Sequence, residues 1–184
     1  GQVHRFLNTI GGYVSSFGSY STAAAQAIIP HIFGMDFHKF GWEHQNSWSL
    51  IAEHTQSLVM FGGINPKNSQ VSMGGVTRHE TATQFDAIKR RGVRCINISP
   101  QQSDAPPGAE WLPIIPGTDT AMMLAVAWVL ETESLLDREF VDRCTTGYVH
   151  FRSYLLGETD GQPKSPVWAS ALCGIDPKVI EELA

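Results

Sequence analysis

A short apolar run, Ser57-Leu58-Val59-Met60-Phe61, stops at Gly62-Gly63 and is followed downstream by a second, Val93–Ile98. Between them the pattern predicts a helix starting near Thr77. Thr77 and Glu80 have capping-box spacing, Phe85 and Ile88 share one face, and Lys89-Arg90-Arg91-Gly92 supplies a basic last turn and a glycine stop. Runs this apolar suit strands buried on both faces, the usual condition of a parallel sheet. A strand, a helix and a strand in this order predict a crossover between parallel neighbours.

Trp111–Ile115 reads as a third strand, and Pro116-Gly117-Thr118-Asp119 then leads into a helix from about 120 to 133. That helix is apolar nearly all round, so it is expected to be buried on most sides. Shorter helices follow near 137–144 and 149–156, then a polar turn, Gly157–Pro163, and a last pair of helical pieces. The expected fold is α/β: a doubly wound, mostly parallel sheet with flanking helices, Rossmann-like. The expected divisions are 1–56, a lead-in segment; 57–134, the α/β unit; and 135–184, a helical extension. In such a sheet a ligand sits at the carboxyl ends of the strands. Three loops leave those ends, Gly62–Asn68, Ser99–Asp104 and Pro116–Asp119. Loops of this composition cradle phosphates through backbone N–H groups, and they also simply turn corners, so the pattern alone leaves the ligand open.

Composition excludes some partners. A net charge of -5 with no Lys/Arg run argues against nucleic acid and an anionic membrane surface. The longest apolar run, Ala121–Leu130, falls short of the roughly 18 residues of a membrane span. Cys95, Cys144 and Cys173 are far apart, have no metal-ligand spacing and are expected to be isolated buried thiols. A start at Gly1 and a stop inside a helical pattern are expected of an internal fragment, in which the lack of a signal peptide says nothing.

Ahead of the sheet, Phe17-Gly18-Ser19-Tyr20-Ser21-Thr22-Ala23-Ala24-Ala25-Gln26 places hydroxyls at the start of an Ala-rich helix. An alkoxide or anion is favoured at that position. The structural reading is an N-cap made by Ser21 or Thr22. These residues alone do not separate the two.

Six segments in register do more. Ser19-Tyr20-Ser21-Thr22-Ala23, Pro30-His31-Ile32-Phe33-Gly34, Gly62-Gly63-Ile64-Asn65-Pro66-Lys67-Asn68-Ser69, Gly108-Ala109-Glu110-Trp111, Pro116-Gly117-Thr118-Asp119 and Tyr154–Gly161 occur in that order. Together they resemble the molybdopterin oxidoreductases of the dimethyl sulfoxide, trimethylamine N-oxide and biotin sulfoxide reductase group. The resemblance covers nearly the whole chain. It implies a molybdenum ion held by bis(molybdopterin guanine dinucleotide) and by one side chain, here Ser21, whose hard oxygen suits a high-valent metal. Thr22 would then be left to cap the helix.

The resemblance further implies that Lys67 lies against the pterin, against the alternative of an exposed loop lysine. Gly62 and Gly63 would let backbone approach pyrophosphate, or are plain turn glycines. Gly117, Thr118 and Asp119 match the segment that holds guanine, whose N1–H and 2-amino groups one carboxylate can accept together. The structural role open to Thr118 and Asp119 is to cap and begin the helix. In the second loop, Ser99 falls at the cofactor-binding position, and Gln102 stands where many relatives have arginine. A bidentate guanidinium contact to phosphate thereby becomes a weaker amide contact. Trp48 closes the segment Trp42–Trp48, which would either line the metal approach or belong to the core.

The implied activity is reduction of an S-oxide or N-oxide by oxygen-atom transfer to the metal, with two-electron re-reduction. It calls for a cytochrome or other redox protein as electron donor and for the remainder of the parent chain. The rival is a non-catalytic guanine-nucleotide-binding α/β module, and the isolated fragment is expected to be inactive. The substrate is not legible. The compartment stays open between bacterial periplasm, which is preferred, and cytoplasm.

Overall fold

The computed structural model describes residues 1–15, 21–65 and 80–184. Their contacts form two compact units, Gly1–Ser47 and Trp48–Ala184. The first holds three helices, α1 (Gln2–Thr9), α2 (Ala23–Phe33) and α3 (Phe37–Glu43). Pro30 interrupts the backbone ladder of α2, and Gly34 ends that helix in a left-handed cap. Asp36 begins α3, its carboxylate accepting the N–H groups of His38 and Lys39.

The second unit is built on a three-stranded parallel sheet in the order β1 (Ser57–Phe61), β2 (Arg94–Ile98), β3 (Glu110–Leu112). Around it lie α4 (Trp48–His54), α5 (Thr81–Arg90), α6 (Asp119–Thr132), α7 (Arg138–Cys144), α8 (Tyr148–Leu155), α9 (Pro166–Cys173) and α10 (Pro177–Leu183). β1 and β2 pair from Ser57↔Arg94 to Phe61↔Ile98, and β2 and β3 from Ile96↔Glu110 to Ile98↔Leu112.

The period of two along β2 divides the core between two faces. Ile96 and Ile98 meet α6, α9 and α10 through Met122, Ala125, Ala169, Cys173 and Ile180. Leu58 and Cys95 meet α4 and α5 through Ala52, Phe85 and Ile88. Helices thus cover both faces, as the doubly wound pattern requires. Each wholly buried Ile or Met stabilises the unit by roughly 2 kcal/mol.

Several expectations are corrected. The helix after β1 begins at Thr81 with Glu80 at its N-cap, so Glu80 is not the third residue of a Thr77 box; Thr77 lies outside the described residues. β3 ends at Leu112 because Pro113 has no N–H to continue the ladder. α6 is buried on most sides as expected, with Met123 exposed and the charged Glu131 buried. Of the three thiols, Cys173 is buried, Cys95 half-buried and Cys144 exposed at the end of α7. Burial pushes the Cys95 thiol pKa up.

Candidate functional site

Parallel strands put the loops after β1, β2 and β3 on one edge of the sheet. With strands about 4.8 Å apart, the three exits lie within roughly 10 Å of one another. Gly62 and Gly63 leave β1 at φ +79° and +73°, a region open to glycine. The Gly62 N–H donates to Ile98 O at 2.9 Å, carrying the β1–β2 pairing one step past the strand. At Gly63 a Cβ would lie 2.3 Å from Asp104 O, so only glycine allows this approach. Ile64 N–H donates to Asp104 O at 2.6 Å, and Asn65 Nδ2 donates to Asp104 Oδ1 at 2.9 Å. The first and second loops are therefore joined to each other.

The second loop is organised from below. Ser99 is buried; its Oγ accepts Gln101 N–H at 3.1 Å and its carbonyl accepts Trp111 Nε1–H at 2.8 Å. Asn97 is wholly buried and donates from Nδ2 to Gln101 O at 3.1 Å. Its Oδ1 is a buried acceptor with no partner among the described residues, near the carboxyl edge of the sheet. Gln102 is exposed at the tip of this loop.

In the third loop, Ile115 N–H donates to Cys173 O at 3.0 Å, which ties the loop to the end of α9. Gly117 turns at φ +80° with open space where a side chain would be. Thr118 occupies the N-cap of α6, yet its hydroxyl donates back to Ile115 O at 2.6 Å and makes no side-chain cap bond. Asp119 lies in the first helical turn, where the helix dipole favours a carboxylate.

In the first unit, Thr22 is the N-cap of α2, and its Oγ1 accepts Gln26 Nε2–H at 2.7 Å. Ser21 sits one residue ahead of it and is exposed. The N-cap position thus belongs to Thr22, although its side chain makes no cap bond, and Ser21 precedes it.

Gly62, Gly63, Ser99 and Gln102 are brought onto two joined loops, and Gly117, Thr118 and Asp119 share their edge of the sheet. Trp48 meets Phe85 edge-on, with ring centroids 5.9 Å apart, in the cluster that also takes in Ile64 of the first loop. Lys67 lies outside the described residues.

Two polar centres were not expected from the sequence. Glu131 is buried beneath Arg138 (2.7 Å), Arg152 (2.6 Å) and the Tyr148 hydroxyl (2.6 Å). Burial alone would raise its pKa, but the three hydrogen bonds and the Arg138 charge outweigh it and hold the group at about 2. Tyr148 is pushed up to about 12 by its own burial and by bonding the carboxylate. Lys164, 2% exposed, donates to Asp160 at 2.5 Å and to Gln162 O at 2.6 Å, with the Tyr154 ring 4.3 Å away. A glutamate interrupting an otherwise apolar helix was the available signal for the first; nothing local marks the second. Among the described residues no helix is long and apolar enough to cross a membrane.

No family model matches the chain. It is 41% identical over 182 residues to the biotin sulfoxide reductase of Cereibacter sphaeroides, a match covering 98% of this chain and 24% of that protein. It is 38% identical to the dimethyl sulfoxide/trimethylamine N-oxide reductase of the same organism, over 99% of this chain and 22% of the relative. The trimethylamine-N-oxide reductase of Haemophilus influenzae is 36% identical with the same coverage. The chain thus spans about a quarter of the length of the curated relatives it matches. Among solved structures, acetylene hydratase from Pelobacter acetylenicus superposes with a TM-score of 0.53 at 24% identity. That match covers 70% of this chain and 16% of that one, and it is a likeness of fold.

Proposed function

We propose that this chain, homologous over nearly its whole length to a segment of the biotin sulfoxide, dimethyl sulfoxide and trimethylamine N-oxide reductases, is the cofactor-binding portion of such a reductase. One observation carries the cofactor reading: Ser21 is exposed one residue ahead of the N-cap position of α2, where a helix start favours an anionic oxygen.

The residues present fit molybdenum with molybdopterin, in its bis(guanine dinucleotide) form. Ser21 supplies one hard oxygen donor, and the open turn at Gly117 leaves room for close backbone approach. In this reading Gly62, Gly63 and Gln102 hold pyrophosphate, Ser99 shapes the second loop from its buried position instead of touching the cofactor as the resemblance implied, and Gly117, Thr118 and Asp119 hold guanine. Lys67 and Trp48 lie along the pterin. Residues 1–56 carry the metal ligand, 57–134 the dinucleotide site, and 135–184 a helical extension.

The bound group supplies two-electron chemistry: an S-oxide or N-oxide takes up two electrons and two protons and leaves as sulfide or amine plus water. The chain's own part is to bind and orient. The α2 N-terminus stabilises negative charge on the Ser21 oxygen. Asp119 accepts N–H groups that guanine has and adenine lacks, and Lys67 offsets negative charge gained on reduction. A cytochrome or similar redox protein serves as donor.

The test uses the full-length parent enzyme. Ser21→Ala is expected to lower turnover of dimethyl sulfoxide, trimethylamine N-oxide and biotin sulfoxide by at least ~100-fold. Unchanged turnover at full molybdenum content would remove Ser21 as the ligand. Purified wild type carrying GDP and no pterin would instead favour the non-catalytic nucleotide-binding module.

A further inference from the structure

Asp104 connects two loops that leave neighbouring strands, and its bonding partner Asn65 is 39 positions away in sequence. Its carbonyl holds Ile64 N–H, its carboxylate holds the Asn65 amide, and Gly63 admits it at a distance no other residue would allow. From beneath, Asn97 fixes Gln101 O in the same loop.

We propose that Asp104 is a positioning residue that sets Gly62–Asn65 and the second loop as a single preformed cradle for the pyrophosphate of a guanine dinucleotide. The proposal rests on the cofactor reading above. Gln102, exposed at the tip of the second loop, is a neutral amide and holds phosphate less firmly than a guanidinium would. The grip on an anion then depends on how the two loops are held relative to each other, because a site ordered beforehand loses less entropy on binding.

The experiment compares Asp104→Ala, Asp104→Asn, Asn65→Ala and the double alanine variant in the full-length reductase. Guanine nucleotide released by acid per polypeptide is measured before and after prolonged dialysis, beside molybdenum content and the melting temperature of the cofactor-free protein. Asp104→Ala should lose the dinucleotide about tenfold faster than wild type, the factor expected for one charge-assisted hydrogen bond. Asp104→Asn keeps an acceptor oxygen for Asn65 and should stay within about twofold of wild type. The double variant should lose the cofactor no faster than the worse single one, since both remove the same link.

Should Asp104→Ala fail to fold, Asn65→Ala cuts the link from the other side and leaves the Asp104 backbone contact in place. Wild-type retention in the alanine variants overturns the proposal, as does an Asp104→Asn loss equal to that of Asp104→Ala. Absence of guanine nucleotide from wild type would sink the cofactor reading itself, a result distinct from failure of the cradle alone.

Discussion

Glu131 is the most demanding single residue in the described chain. A carboxylate 3% exposed inside an apolar helix is tolerable only because Arg138, Arg152 and Tyr148 all donate to it. Both arginines keep roughly half their surface in water, so removal of the carboxylate does not strand them. Glu131→Gln should therefore cost about 2 kcal/mol in urea unfolding at pH 7, rather than the larger penalty of a wholly buried broken pair. The sign of the pH dependence follows from the folded pKa of about 2, below the usual carboxylate range. The stabilisation is complete above about pH 4.3, the unfolded value, and drains away as pH falls toward 2. The gap between wild type and Glu131→Gln should thus narrow between pH 5 and pH 3; a constant gap would remove charge from the explanation. None of this was legible, because the partners lie on separate helices. Ser21 and Thr22 were different: the sequence left both as caps, and the structure assigns the cap to Thr22.

At the scale of elements, the turn after α8 shows how tightly two polar segments can be joined. Gly157 and Gly161 both have positive φ, +79° and +73°, but their surroundings differ. A Cβ at Gly157 would fall 2.4 Å from Pro163 N, whereas at Gly161 it would meet nothing within 4 Å. Gly161→Ala should cost only the backbone strain, about 1 kcal/mol. Gly157→Ala adds displacement of the Gln162–Pro163 backbone, and with it the link from Lys164 N–H to Leu155 O, and should cost at least about 3 kcal/mol. Chemical denaturation of the two variants checks this; equal losses would mean the turn relaxes freely. Elements that carry their own punctuation were the legible ones. β1 ran from an apolar start to two glycines and was found at 57–61. β3 was expected through Ile115, although Pro113 already marked where its ladder stops. Residues 1–56 were expected to be a helical lead-in, but the bounds of α3 and α4 were not legible, for each spans seven residues with no sustained apolar stripe to announce it.

At the scale of the whole molecule, the two units differ in what holds them. β2 has Ile96, Asn97 and Ile98 at 1% exposure or less, between helices on either side. In Gly1–Ser47, by contrast, no described residue is buried. The stripe of Val3, Phe6 and Ile10 on α1 is more than 60% exposed, as are Ile32 on α2 and Trp42 on α3. With so little apolar area removed from water, the α2 helix has little beyond its own ladder to resist opening. Hydrogen exchange on the 184-residue chain should therefore find the β2 amides protected at least about a thousandfold more than those of α2, since the former open only with the core. Comparable protection would mean that the first unit has a source of stability outside the described contacts. The same peptide measured in the full-length parent protein should gain protection. The metal ligand proposed at Ser21 has to be held still to act, and among the described residues its unit has no buried side chain to hold it.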